Sequence, residues 1–336
     1  MDFLLGEFLP ESNESIILVK TKSYQSVYFR IMSVIINQTS KNAYFIGAVG
    51  ITMFSLSLPM TNIATGSPSE PQLSGLFIAF GRAVIAGILS VIYLYFNRVK
   101  FINRQQLPWM LLTSFGVVFG FPLFLSIGIR HVGAVHASVI LGILPMITAI
   151  CGAVINKEKA TFRFWICGVI GCLLVMGYIL QKNAGTNFYL GFYDLLVIVA
   201  MFWAGFGYVC GAKLAKELRA IDVISWAVTL SLPLSLVGAL YTFPETPIMI
   251  QSWLGLVYLG VFSMWIGFFF WYKALNMGGT VRISQLQLAQ PFMSIFFSYP
   301  LLGEIPDSSS YLFCFLVILT VYLGKKKTLP NPFNNK

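Results

Sequence analysis

Residues 131–165, HVGAVHASVILGILPMITAICGAVINKEKATFRFW, return 146 positions later as residues 277–311, MGGTVRISQLQLAQPFMSIFFSYPLLGEIPDSSSY. The offset pairs Gly133 with Gly279, Ser138 with Ser284, Pro145 with Pro291, Thr148 with Ser294, Glu158 with Glu304 and Trp165 with Tyr311, without a gap. Glycine and proline punctuate the backbone, so keeping both in register marks a duplicated structural unit. A looser match at an offset of 148 joins Met53-Phe54 to Met201-Phe202 and extends the duplication towards the start of each half.

The chain around these copies is too apolar for water. It is 57% hydrophobic and 10% charged, where a soluble domain carries about 25% charged residues. A soluble enzyme is excluded first. Apolar runs of membrane-crossing length follow one another at 43–64, 74–96, 107–129, 135–154, 164–181, 190–210, 223–242, 252–272, 280–301 and 308–324. The 146-residue offset carries spans three, four and five onto eight, nine and ten.

The net charge of +10 would suggest nucleic acid if it were clustered on a polar domain. It is instead dispersed between the spans. With a cytoplasmic N-terminus, nineteen Lys and Arg fall in inner segments and only Arg130 and Lys182 in outer ones; Arg82 sits inside span two, completing the 22. The positive-inside rule therefore places both termini in the cytoplasm. It also favours an even number of spans. Five spans per half is odd, so the second half enters the membrane from the opposite side. Inverted repeats of this kind are a transporter signature.

The expected fold is thus an all-α polytopic membrane protein of ten transmembrane helices in two inverted five-helix repeats, 43–181 and 182–324, with a basic cytoplasmic tail at 325–336. In the cytoplasmic segment 1–42, Ser23, Ser26, Arg30, Ser33 and Asn37 share one helical face opposite Val27, Ile31, Val34 and Ile35. That pattern suits an amphipathic helix on the inner leaflet as well as it suits a frayed tail.

The doubled pattern of a Gly-rich turn, a small-residue helix with a central Pro, a link bearing Glu and an aromatic-led last helix resembles the EamA-type branch of the drug/metabolite transporter superfamily. FFFWYKAL before the second copy, GFYDLLVIVAMFWAG opening the second half, and Arg82 in AFGRAVIAG extend the likeness over roughly 43–324. One departure is Asn156-Lys157-Glu158 in the first copy against Leu302-Gly303-Glu304 in the second. The resemblance implies export or exchange of small metabolites by alternating access across the cytoplasmic (inner) membrane.

Span nine shows where a solute would touch the chain. Ser284, Gln287, Gln290, Pro291, Ser294 and Ser298 share one arc of a helical wheel, with Gln285 outside it. Amides are costly in hydrocarbon, so the stripe faces protein or a wet cavity. The matching arc of span four, Ser138, Gly142, Pro145, Thr148, Ala149 and Gly152, reads as helix packing. Arg82 requires a partner in the membrane: a substrate carboxylate, or a structural contact at helix ends. Trp203 and Trp265, nearer mid-span than Tyr208, Trp271 and Tyr272, are the aromatic cavity candidates, with core packing as the alternative. Amides and hydroxyls without net charge suit a zwitterionic solute, amino acids first, ahead of nucleotide-derived metabolites and amphiphilic drugs.

Energy coupling has few signals. Asp194 and His136 are the candidates for proton coupling. No phosphate-binding loop is present, which favours secondary transport. The five cysteines lie in apolar runs and the two histidines lack metal-ligating neighbours in sequence, so neither cofactor nor metal is expected. Partners are then the small-molecule metabolite and the lipid bilayer, without nucleic acid, for a monomer or homodimer. The alternative is an intramembrane hydrolase. It would need a serine activated by His131 or His136, and neither Ser126 nor Ser138 sits in a strained nucleophile motif.

Overall fold

The computed structural model describes residues 41–67, 69–132, 140–182, 191–303, 305–306 and 308–324. The amphipathic segment up to residue 40, His136, Ser138, Glu304 and the basic tail lie outside the described residues, as do the side chains of Ser126 and Arg130. The described residues from Ala43 onward belong to one compact unit.

Among the described residues the regular structure is helical. In chain order the segments are α1 (Lys41–Thr65), α2 (Gly75–Phe96), α3 (107–132), α4 (Leu144–Ile155) and α5 (Phe162–Lys182). They continue as α6 (Phe192–Leu214), α7 (Ala220–Tyr241), α8 (Ile250–Gly278), α9 (280–302) and α10 (Ser308–Gly324).

Seven of them, α1, α2, α3 and α5 to α8, contain a stretch long and apolar enough to cross a membrane unaided. The departures from ten full-length spans have a local cause. α4 and α10 are shorter apolar helices, and α9 is interrupted by a 3-10 stretch, Gln285–Ala289. Pro145 and Pro291 sit at the first turn of the α-helices Leu144–Ile155 and Gln290–Leu302, where a residue lacking an N–H is tolerated and the backbone hydrogen bond it removes coincides with the break before each helix. α3 and α8 carry a second paired irregularity. Each contains a π-helical segment, Phe115–Gly120 and Leu259–Ile266, and the first maps into the second at the 146-residue offset.

Outward side chains are apolar: Val154 is 72% exposed, Leu240 67% and Phe315 64%. Hydroxyls on α1 are absorbed by their own helix. Thr52, Ser55, Thr61 and Thr65 each donate to the carbonyl four residues earlier, which satisfies them without water.

Glycines set the close helix approaches. Gly116 of α3 lies against Gly207 of α6, where an added Cβ would meet the Trp203 carbonyl oxygen at 2.6 Å. Gly211 accepts the ring of Tyr272 from α8. These positions belong to the two GxxxG pairs of α3 and α6, and they pack helices as small residues in membranes do. The helix pairs that meet form a pattern: α3 with α6 and α8 with α1, α4 with α6 and α9 with α1, α2 with α8 and α7 with α3, together with α2–α7, α4–α9 and α5–α10. Replacing each helix by the one five places on reproduces these pairs, whereas α6–α8 and α5–α9 meet without a counterpart of similar extent.

The turn that departs in sequence does not depart in shape. Lys157 has φ 53°, and Gly303, its counterpart, has φ 75°.

Candidate functional site

A cavity of about 390 Å³ lies among α1, α2, α3, α4, α5, α6, α8 and α9. Leu58, 58% exposed, stands at its mouth, and Phe268, 6% exposed, lies at its floor. The floor is aromatic. Phe54 and Phe268 pack with ring centroids 5.0 Å apart, and Tyr208 approaches Phe268 at 5.7 Å. Its side walls include Ser57 and Ser263, whose hydroxyls are hydrogen-bonded to each other across α1 and α8 at 2.7 Å.

α9 supplies the amides. The 3-10 stretch and the Pro291 turn bring Gln287, Gln290 and Ser294 to the cavity. Gln287 is 4% exposed, and its side-chain carbonyl oxygen has no hydrogen-bond partner. The Ser294 hydroxyl is already engaged, donating to the Ser55 carbonyl of α1 at 2.7 Å. From α2, Arg82 reaches the same cavity; its Nε is buried without a partner, and Tyr208 is within electrostatic reach. Among the described residues no carboxylate forms an ion pair with it. Each buried, unpaired polar atom costs about 1–3 kcal/mol, so Arg82 and Gln287 are held ready at a price to stability.

The lining repeats across the halves. Leu141 and Gln287, Gly142 and Leu288, Leu144 and Gln290, Pro145 and Pro291, and Val117 and Ser263 are pairs at the 146-residue offset, and every member lines the cavity. α4 therefore contributes to the wall as well as to packing. The backbone frame is shared between the halves, while the amides belong to one.

Residues 41–180 and 191–324 each match the EamA-like transporter family. The chain belongs to that family. It is 39% identical over 270 residues to the Uncharacterized transporter YdeK of Bacillus subtilis (strain 168), covering 80% of this chain and 91% of the relative. It is 27% identical over 261 residues to the S-adenosylmethionine/S-adenosylhomocysteine transporter of Chlamydia muridarum (strain MoPn / Nigg), covering 73% of this chain and 80% of that one. A crystal structure at 17% identity superposes with a TM-score of 0.71, spanning 85% of this chain and 96% of its own, and shares the fold. The protein is an integral, multi-pass membrane transporter of the drug/metabolite transporter superfamily and not an enzyme. The hydrolase alternative is thereby set aside.

Four residues expected at an EamA-like site or in its coupling lie elsewhere. Ser284 is fully buried and donates to the Val281 carbonyl. It leaves the stripe because a 3-10 stretch advances about 120° per residue against about 100° in an α-helix, which rotates the face between residues 284 and 290. Gln285, outside the stripe in sequence, donates to the Phe164 carbonyl on α5 at 3.3 Å. Trp203 packs against the π-segment of α3, 4.7 Å from Phe115 and against Gly120. Trp265 donates its indole N–H to Ser225 at 2.9 Å and stacks edge-on to Tyr93. Tyr93 in turn donates to Asp222, which also takes a hydrogen bond from Arg219 and raises that guanidinium above its ordinary pKa.

Asp194 lies at the start of α6, where its carboxylate accepts the Gly191 N–H, one half of a capping box, since glycine has no side chain to supply the other. That is a helix-terminus role, away from the cavity. His131 stacks on Tyr193 at 3.8 Å. The residues that sequence reading missed are Phe54, Tyr208, Phe268, Ser57 and Ser263. Tyr208 alone offered a signal, a phenol on the helix that carries the GxxxG pair.

Proposed function

We propose that this transporter is secondary, not ATP-driven, and exports or exchanges amino acids or related zwitterions by alternating access. One observation carries the reading. The cavity holds a buried donor without an acceptor, Arg82 Nε, and a buried acceptor without a donor, the Gln287 side-chain oxygen. An α-amino acid supplies both at once: its carboxylate accepts from Arg82, and its ammonium donates to Gln287. Both molecules named for the chlamydial relatives contain that pair of groups, and an aromatic floor suits an apolar or planar remainder.

The ten-span inverted architecture belongs to the same reading. It is supported by two family matches of similar length, by helix contacts that survive exchange of the halves and by paired irregularities in α3/α8 and α4/α9. With both termini in the cytoplasm, as the basic residues favour, the lining occupies the outer parts of α1, α3 and α5, and the cavity faces outward.

The test is counterflow in proteoliposomes, with solutes chosen by untargeted metabolite comparison of cells with and without the protein. R82A and Q287A should each lower uptake of an amino acid roughly tenfold or more, the loss expected from a charge-assisted hydrogen bond, while the protein still elutes as one folded species. Undiminished uptake in both variants would rule out the zwitterion clamp.

A further inference from the structure

One helical turn beyond Phe268 on α8, just outside the cavity lining, lie Trp271 and Tyr272, both 0% exposed. Trp271 meets Phe54 at 6.3 Å and Tyr208 at 6.1 Å, edge-on to both, and Tyr272 meets Phe268 at 5.6 Å. Both residues sit against glycines of facing helices. The backbone of Trp271 lies against Gly50 of α1, and the Tyr272 ring lies against Gly211 of α6. Yet neither polar group has found a partner: the Trp271 indole N–H and the Tyr272 hydroxyl are buried and unpaired. A buried tryptophan or tyrosine ordinarily satisfies its polar tip. Two adjacent exceptions, just outside a solute cavity, point to groups that are wetted in another state of the molecule.

The chain also contains the contact that keeps them dry. α8 ends at Gly278, and Gly279, with φ 83°, turns into α9. Glu158, just beyond α4, accepts the N–H of Thr280 at 2.9 Å with one carboxylate oxygen and that of Val281 at 2.8 Å with the other. Asn156 adds a hydrogen bond to the Thr280 hydroxyl at 2.9 Å. The carboxylate thus binds the free amides and positive dipole end of α9, and it pins the α8–α9 corner of the second half to the end of α4 in the first. Residues 271 and 272 lie only about 9–11 Å from that corner at 1.5 Å per residue.

Resting on the alternating-access reading above, we propose that Trp271 and Tyr272 form the wall of the second half of the transport path, shut in this state and held shut by the Glu158 clamp on the start of α9. Release of the clamp lets the α8–α9 corner swing away from α4, and water then satisfies the indole N–H and the phenol. No bond is made or broken beyond these hydrogen bonds.

Hydroxyl-radical footprinting of the full chain in proteoliposomes, read by mass spectrometry, tests this without requiring a solute. In the wild type, Trp271 and Tyr272 should be protected relative to Tyr241, which is 91% exposed. E158A removes the clamp, and G211A wedges a methyl group against the Tyr272 ring, whose nearest atoms lie 2.3 Å from the new Cβ position. Each variant should raise oxidation of Trp271 and Tyr272 roughly tenfold, the population shift given by losing about 1.4 kcal/mol from the closed state. If E158A fails to fold, G211A decides alone. Protection unchanged in folded variants, or wild-type oxidation equal to that of Tyr241, overturns the proposal. Absent amino-acid counterflow with increased oxidation would reject the amino-acid reading and leave the clamp standing.

Discussion

Lys157 holds, at a lysine, the left-handed backbone that Gly303 holds at a glycine 146 positions later, with φ values of 53° and 75°. The turn after α4 and the turn after α9 therefore share a shape that their sequences do not advertise. A β-carbon in this region costs roughly 1–2 kcal/mol. K157G should accordingly raise the midpoint of denaturation in detergent, by about 1 kcal/mol, while G303A lowers it by a similar amount. Open space surrounds a Cβ built at Gly303, so the second effect would report backbone strain rather than a clash. Equal midpoints for G303A and wild type would contradict this account.

The unpaired oxygen of Gln287 separates binding from stability. Q287L removes an unsatisfied buried acceptor, so the ligand-free protein should melt no lower than wild type and up to about 1 kcal/mol higher. The stabilisation gained on adding the amino acid should shrink. A variant that melts lower without ligand and responds to it as wild type does would contradict the assignment. Thermal shift with and without solute reads both quantities.

Asp194 offers a clean distinction between capping and proton coupling. D194N keeps an acceptor for the Gly191 N–H, and transport with its pH profile should be retained. D194A should lose about 1 kcal/mol of stability, the worth of a cap, again with the pH profile intact. A D194N variant that transports but has lost its pH dependence would restore the proton role.

Close packing gives a paired prediction on glycine. G116A places a methyl group 2.6 Å from the Trp203 carbonyl oxygen and should destabilise by about 1–3 kcal/mol. G177A, in the last third of α5 with no neighbouring atom within 4 Å of the new Cβ, should be neutral or stabilising by up to about 1 kcal/mol through helix propensity. Denaturation midpoints of the two variants, measured side by side, decide it.

Helix positions were legible because uninterrupted apolar runs and basic links announce them; most ends lie within a few residues of those read from sequence, and α8 extends further, to Gly278. The site was legible only in part. Gln287, Gln290 and Ser294, expected from the α9 stripe, and Arg82, expected from its isolation in span two, line the cavity. Ser284 lies outside the lining because a wheel assumes constant pitch and the 3-10 stretch breaks it. Trp203 and Trp265 lie outside it for another reason: depth along a helix says nothing about the direction in which a ring points. Phe54 and Phe268 gave no signal, being apolar residues on apolar helices. The Glu158 clamp joins residues more than 120 positions apart and is visible only once α4 and α9 are side by side.

The cavity's frame is duplicated, but its amides are not: Gln287 and Gln290 face Leu141 and Leu144 across the pseudo-equivalent positions. A solute gripped from one side travels with that side. In the alternating-access reading proposed above, α9 is the hand that holds the cargo when the halves rearrange, and α4 the smooth rail past which it slides. On that reading, duplication of the fold leaves one copy to recognise and the other to let go.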